Sequence, residues 1–201
     1  MHTQINEILG FWFGALAQGF PVKNRDILWW AAKDENDQLV AELFGLQVHQ
    51  ALRGELDYWA KEPMGRLALI LLLDQFTRMM FRGHSDAFSG DAKALKLTLE
   101  ACHQKIDQAY ECSERAFLYM PLQHAEDTQM QAMSISCFEQ MLVEVSGLYK
   151  LDVEKWLDFA YQNQRQIEAF GRFPQRNEVL GRSSTPEELA FLLQTQPTKK
   201  S

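Results

Sequence analysis

The sequence predicts an all-α protein: one domain of stacked antiparallel helices. Three observations carry this. Apolar residues recur at helical spacing through most of the 201-residue chain, and no alternating polar and apolar pattern persists long enough for a strand. Only six prolines and eleven glycines occur, and they fall between the periodic segments rather than inside them. With 46% hydrophobic residues, the chain has enough apolar side chains for a substantial core.

The elements follow in order. Asn6 to Ala17 is expected to be a short aromatic helix through Ile8, Leu9, Phe11, Trp12 and Phe13, and Asp26 to Lys33 carries Trp29 and Trp30. Asp37 to Arg53 is a longer helix closed by Gly54. Pro63 suits a first helical turn, where its missing N–H has no intrahelical partner anyway. The helix it opens runs to about Phe81, and its middle is apolar on every side, the mark of a buried central helix. Ser85 to Gln104 reads as amphipathic. Ser113 is expected to cap Glu114 to Met120, with Pro121 breaking or kinking the chain. Glu126 to Val145 and Asp152 to Phe170 are long helices. Thr185-Pro186-Glu187-Glu188 has the form of a capping box before a last short helix. A single domain over 1–195 is expected, with 196–201 a frayed tail.

The formal net charge is −7, which argues against a general nucleic-acid surface, so any anion site must be a local cluster of basic side chains. Three cysteines without metal spacing, Cys102, Cys112 and Cys137, suggest free thiols in a reducing compartment. The first ten residues lack the basic and apolar regions of a signal peptide. The longest apolar run, Leu67 to Leu73, is far short of the roughly 20 residues a membrane span needs. A cytoplasmic location is expected.

Five of the ten arginines fall in two segments. Arg78 and Arg82 close the central helix; Arg172, Arg176 and Arg182 lie in Phe170–Arg182, among aromatics, glycines, Pro174 and Asn177. Asp74, Arg78 and Arg82 are four residues apart and share a helix face, with Asp74 placed to pair with Arg78. A turn fixed by Gly171 and Pro174 would present Arg172 and Arg176 as rigid forks suited to carboxylate or phosphate. The alternative is structural: arginines satisfying helix-end carbonyls or acids.

A third polar cluster is Tyr119 to Asp127, with His124, Glu126 and Asp127 as candidates for proton transfer and Gln131 on the same face as Asp127. Helix capping alone would also account for the two acids, and either acid could pair with one of the five arginines. No second histidine stands at ligand spacing, so no metal is expected. The chain has no G-x-G-x-x-G, Walker loop, G-x-S-x-G or H-E-x-x-H, and no cofactor is expected. The five tryptophans read as core residues.

Several separate motifs resemble one bacterial family of unknown function, number 924 in the domain-of-unknown-function series. They are Phe11-Trp12-Phe13-Gly14, Gly54-Glu55-Leu56, Leu73-Asp74-Gln75-Phe76 with Arg78, and Phe81-Arg82-Gly83. Tyr119-Met120-Pro121-Leu122 with His124, Glu126 and Asp127 continues the match, as do Phe170–Pro174, Arg176-Asn177, Leu180-Gly181-Arg182 and Ser184–Glu188. The resemblance spans nearly the whole chain and implies an all-helical fold similar to tetratricopeptide-type arrays. It implies no activity and no catalytic residues. The family pattern differs at Thr77, where proline is usual, and at Asn163 and Gln175, where histidines are usual.

Two functions remain open on the sequence. One is binding of a small anionic molecule in an arginine-lined pocket, lined by Asp74, Arg78, Arg82, Tyr119, Gln131, Arg172, Arg176, Asn177 and Arg182, with an enzymatic step through His124, Glu126 or Asp127. The other is an interaction module whose groove holds a peptide or partner, the arginines clamping an acidic terminus. Purely structural use of every arginine is the bland case. Nucleic acid and membrane are not expected partners.

Overall fold

Helices make up most of residues 2–195, the part of the chain that the computed structural model describes. The expected tail at 196–201 lies outside the described residues. The order is α1 (His2–Phe13), a two-stranded hairpin of β1 (Leu16–Ala17) and β2 (Phe20–Pro21), α2 (Asp26–Trp30) and α3 (Asp34–Leu52). Then come α4 (Pro63–Ile70), a wider π turn over Leu71–Phe76, α5 (Thr77–Met80), α6 (Asp91–His103) and α7 (Cys112–His124). The chain ends with α8 (Thr128–Glu144), α9 (Lys150–Phe170) and α10 (Pro186–Thr195). The protein is a single all-α domain.

The run from Pro63 to Met80 is one continuous helical rod, and it is the centre of the molecule. Leu67 to Leu73 are all 0% exposed, as an all-round apolar helix requires. α1, α3, α6 and α7 pack around the rod, while α8 and α9 pair with each other and against α7. An aromatic cluster of Phe11, Trp12, Phe44, Phe76 and Phe117, with ring centroids 5.1 to 6.1 Å apart, joins α1, α3, α7 and the rod.

Four local expectations are corrected. The first helix stops at Phe13, because Gly14 takes a left-handed φ of +66° and Leu16–Pro21 forms a hairpin. Ser85 to Gln104 is not one helix: a 3₁₀ turn over Ser85–Phe88 precedes α6. Gly90 sits between them, where a Cβ would fall 2.1 Å from the Leu73 carbonyl oxygen, so backbone touches backbone. α7 starts at Cys112, capped by Glu111 and Glu114 rather than by Ser113. It also runs through Pro121 to His124. Pro121 lacks the N–H that would bond the Phe117 carbonyl, and Gln131 Nε2 donates to the Leu122, Gln123 and Ala125 carbonyls left at the helix end.

The capping box at the last helix is present. The Thr185 N–H donates to Glu188 Oε2 (2.8 Å) and the Glu188 N–H to Thr185 Oγ1 (3.3 Å).

Candidate functional site

The polar centre begins where the rod widens. In the π turn an extra residue is accommodated, and such turns often mark functional positions. Here the turn carries Asp74 and Gln75. Asp74 is 0% exposed. A carboxylate buried this far is tolerable only when its oxygens are bonded. Gln75 Nε2 donates to Oδ2 (2.6 Å), and Arg78 Nη1 lies 3.2 Å from Oδ1. His124 Nδ1, from the last residue of α7, is 2.7 Å from Oδ1.

Charge settles the protons. Burial alone would raise the Asp74 pKa, but Arg78 and His124 outweigh it and hold the carboxyl well below its usual range. His124 is shifted down, first by burial and then by the Arg78 charge, and so is neutral at pH 7. An ionised Asp74 offers no proton, so Nδ1 carries the hydrogen and donates it. Nε2 is then a lone-pair acceptor. Among the described residues Nε2 has no hydrogen-bond partner.

Arg78 then turns to α6, with Nη1 and Nη2 donating to Asp91 Oδ1 (2.8 Å) and Oδ2 (2.9 Å). Asp91 is raised in pKa, chiefly by burial. Arg176, from the far loop, reaches the same carboxylate, but at 3.6 Å, too long for a hydrogen bond. Its guanidinium is held instead by two rings, 4.8 Å from the Phe88 centroid and 4.6 Å from Phe173. Burial, and then Arg78, lower its pKa to about 10. Two segments some hundred residues apart therefore meet at one carboxylate.

The other arginines are committed elsewhere. Arg82 makes a two-pronged pair with Asp37 (2.5 and 2.8 Å) on the α3 side. Arg172 pairs with Glu188 (2.7 and 2.9 Å) and with the Ser183 carbonyl. Arg182 pairs with Glu126 (2.6 and 2.9 Å) and bonds Asn177 Oδ1 and the Phe173 carbonyl. Glu126 also accepts the Phe173 N–H at 2.8 Å. Asn177 bridges Ser184 and Glu188. These contacts fold the loop from Gly171 to Thr185 into a fixed shape and so set Arg176 in place.

Asp127 caps α8, accepting from the Gln129 and Met130 N–H groups. Gln131 Nε2 donates to the carbonyls of Leu122, Gln123 and Ala125. Tyr119 bonds Asp107 at 2.6 Å, away from the cluster. Of the three proton-transfer candidates, Glu126 is held by Arg182 and the Phe173 N–H, Asp127 caps α8 through Oδ1 and keeps Oδ2 in solvent, and His124 presents its open Nε2 from beside the buried Asp74.

His124 borders two hollows. One, of about 310 Å³, is lined by Asp91, Pro121, Glu126, Asp127 and Arg176. The other, of about 230 Å³, is lined by Trp29, Trp30, Gln75, Arg78, Met120 and Arg82. Asp91, Gln75 and Phe88 escape sequence reasoning. Asp91 falls inside the single helix expected over Ser85–Gln104, whereas in the structure it opens α6, next to the close approach of Gly90 to Leu73. Among the described residues no group of three or more His, Cys, Asp or Glu side chains is placed to hold a metal ion.

The sequence model of a bacterial protein family of unknown function, DUF924, matches residues 8–196. The chain belongs to this family. A solved structure of another protein of unknown function, ATU0120 from Agrobacterium tumefaciens, is similar at 32% identity and a TM-score of 0.79. The match covers 96% of this chain and 98% of that one. No curated protein matches. As a DUF924 member the chain acquires a fold and a bacterial relationship, but no chemistry. No helix among the described residues is long and apolar enough to cross a membrane.

Proposed function

We propose that this DUF924 protein binds a small molecule bearing a carboxylate or phosphate oxygen at Arg176, and that His124 Nε2 takes a proton from the ligand or from a water beside it. The observation that carries the reading is that the donors of Arg176 and the acceptor of His124, both without hydrogen-bond partners among the described residues, border the same hollow.

Three acids line that hollow, but each is already engaged: Asp91 by Arg78, Glu126 by Arg182 and Asp127 by the start of α8. Asp91 and Glu126 offset Arg78 and Arg182, and the N–H donors of Arg176 remain for a ligand. Two aromatic faces fix its fork without using its N–H groups, which limits the ordering a ligand must impose. Asp74 orients His124 and would stabilise the imidazolium formed on proton transfer. Hollows of a few hundred cubic ångströms suit a metabolite better than an extended peptide, which favours this reading over a peptide-binding module.

The test is calorimetric titration with inorganic phosphate and with a panel of small carboxylates, on the wild type and on Arg176→Ala and His124→Asn. A ligand of this class should lose at least tenfold in affinity in Arg176→Ala and bind almost unchanged to His124→Asn, which removes the base and keeps the shape. Binding indifferent to Arg176, or no binding by any anion, overturns the reading.

A further inference from the structure

A third hollow, which His124 does not line, shares Trp29 and Trp30 with the smaller of the two beside that histidine. It has a volume of about 420 Å³ and is built from the hairpin, α2, the first turn of α7 and the start of α9. We propose that it binds a flat aromatic ring carrying an anionic substituent. The inference is independent of the reading of the Arg176 site.

The walls are ring faces. Phe20 stacks on Tyr149 at 4.3 Å and 7° and lies near-parallel to Trp156 at 6.0 Å and 15°. Trp30 and Phe159, which also border the hollow, stack at 6.3 Å and 26°. Trp30 and Phe159 are 43% and 50% exposed. Trp30 also lies near-parallel to Phe117 at 5.8 Å and 16°, so these rings already stack on one another, and a planar guest would extend the stack at the exposed Trp30 and Phe159. The rings come from three separate chain segments, so the wall is a product of the tertiary fold.

The polar groups define the rest of the guest. Ser113 is wholly buried and borders the hollow, and its Oγ has no hydrogen-bond partner among the described residues. A buried hydroxyl without a partner is costly, and a polar ring edge would relieve it. The Arg25 side chain makes no hydrogen bond or ion pair among the described residues, and its Nε is buried without a partner. Its guanidinium is seated against Gly14, where a Cβ would fall 2.3 Å from Nη2, so the glycine makes room for the cation.

Neither acid at the rim forms an ion pair with Arg25. Asp26 Oδ2 accepts from Asn24, and Asp152 lies 3.6 Å from Lys155. The rim carries equal numbers of acids and bases, and what sets Arg25 apart is a guanidinium whose N–H donors have no acceptor among the described residues, which gives an anionic substituent a group to bond.

Three probes with one ring system and different charges separate the possibilities: indole-3-acetate, indole and tryptamine, titrated calorimetrically into the whole chain. Indole-3-acetate should bind saturably and at least tenfold more tightly than indole or tryptamine. Arg25→Gln should bring it down to the level of indole, and Arg25→Lys should restore part of the preference. Phe159→Ala, at an exposed position, should weaken indole-3-acetate and indole by the same factor. Arg176→Ala should leave all three unchanged. Thermal melting of each variant confirms folding, and the comparison with Arg25→Lys stands if Arg25→Gln does not fold. No saturable binding of any probe, tightest binding by tryptamine, or a preference for the anion that survives in a folded Arg25→Gln or Arg25→Lys protein at unchanged strength overturns the proposal.

Discussion

His124 Nδ1 lies 2.7 Å from Oδ1 of Asp74, and Asp74 is wholly buried in the π turn of the central rod. The pair joins the end of α7 to the middle of the chain's most buried helix. It fixes the histidine tautomer, and with it the atom that faces the hollows.

Asp74→Asn keeps the volume but removes the charge that Arg78 and His124 face. Breaking a buried pair on one side leaves the other charge without compensation, at a cost of about 3–5 kcal/mol. Arg78 keeps Asp91, so the lower end, about 3 kcal/mol, is expected. Urea denaturation should report it as a lower midpoint with an unchanged slope. A loss below about 1 kcal/mol would mean that the carboxylate contributes little.

The pH dependence has a definite sign. The His124 pKa is lower in the folded protein than in the unfolded chain, chiefly through burial. Below the unfolded value, about 6.5, the unfolded chain therefore binds more protons. Stability from this group is complete above that pH and is lost as pH falls toward the folded value. Asp74, also shifted down, adds a second loss below about pH 4. Wild-type stability should decline between pH 7 and 5, and His124→Gln should flatten that decline. Thermal melts across this range make the comparison.

Glu126 receives three hydrogen bonds from the far loop, one from the Phe173 N–H and two from Arg182. Bonds to charged groups contribute about 1.5–3 kcal/mol each when measured singly. Glu126→Ala should cost about 2 kcal/mol, because the site is partly solvated and Arg182 retains Asn177 and the Phe173 carbonyl. It should also speed hydrogen exchange at the Phe173 amide and weaken any ligand held by Arg176. Unchanged exchange at that amide would show that the loop is held by other contacts.

Arg82→Ala separates a surface pair from the site. The Arg82 side chain is 45% exposed, and its bond to Asp37 crosses to the outer helix. Exposed pairs contribute about 0–1 kcal/mol, so the melting temperature should barely move and anion affinity should hold. A large affinity loss here would place the ligand in the smaller hollow beside Trp30.

Gly90→Ala tests the backbone contact that places Asp91. A methyl 2.1 Å from the Leu73 oxygen cannot be accommodated without moving α6 from the rod. Overpacking of this kind costs about 1–3 kcal/mol, and here it should also loosen the Asp91–Arg78 bonds. A melting temperature unchanged from wild type would mean that α6 shifts without penalty.

Much of this was readable in the residues. The all-round apolar run at Leu67–Leu73 marked the buried rod, because no other element can bury every side. The Asp74–Arg78 pair followed from helical spacing, and the Thr185–Glu188 box from its residue types. An acid pairing with one of the five arginines was an open alternative for Glu126 and Asp127, and Glu126 with Arg182 is that pair. Convergence of Arg78 and Arg176 was expected with Arg82 and Arg172 beside them. Those two turned instead to Asp37 and Glu188.

The sequence by itself determined the helices, the central rod and which segments carry charge, because periodicity and capping are local properties of neighbouring residues. Only the tertiary structure decided which guanidinium is left with open donors. That depends on whether an acid from another element arrives within about 3 Å, and Asp37, Glu126 and Glu188 reach their arginines while Asp91 stops short of Arg176. The open nitrogen of His124 and the unbonded guanidinium of Arg25 have the same origin: each is set by which distant acceptors and donors fail to arrive.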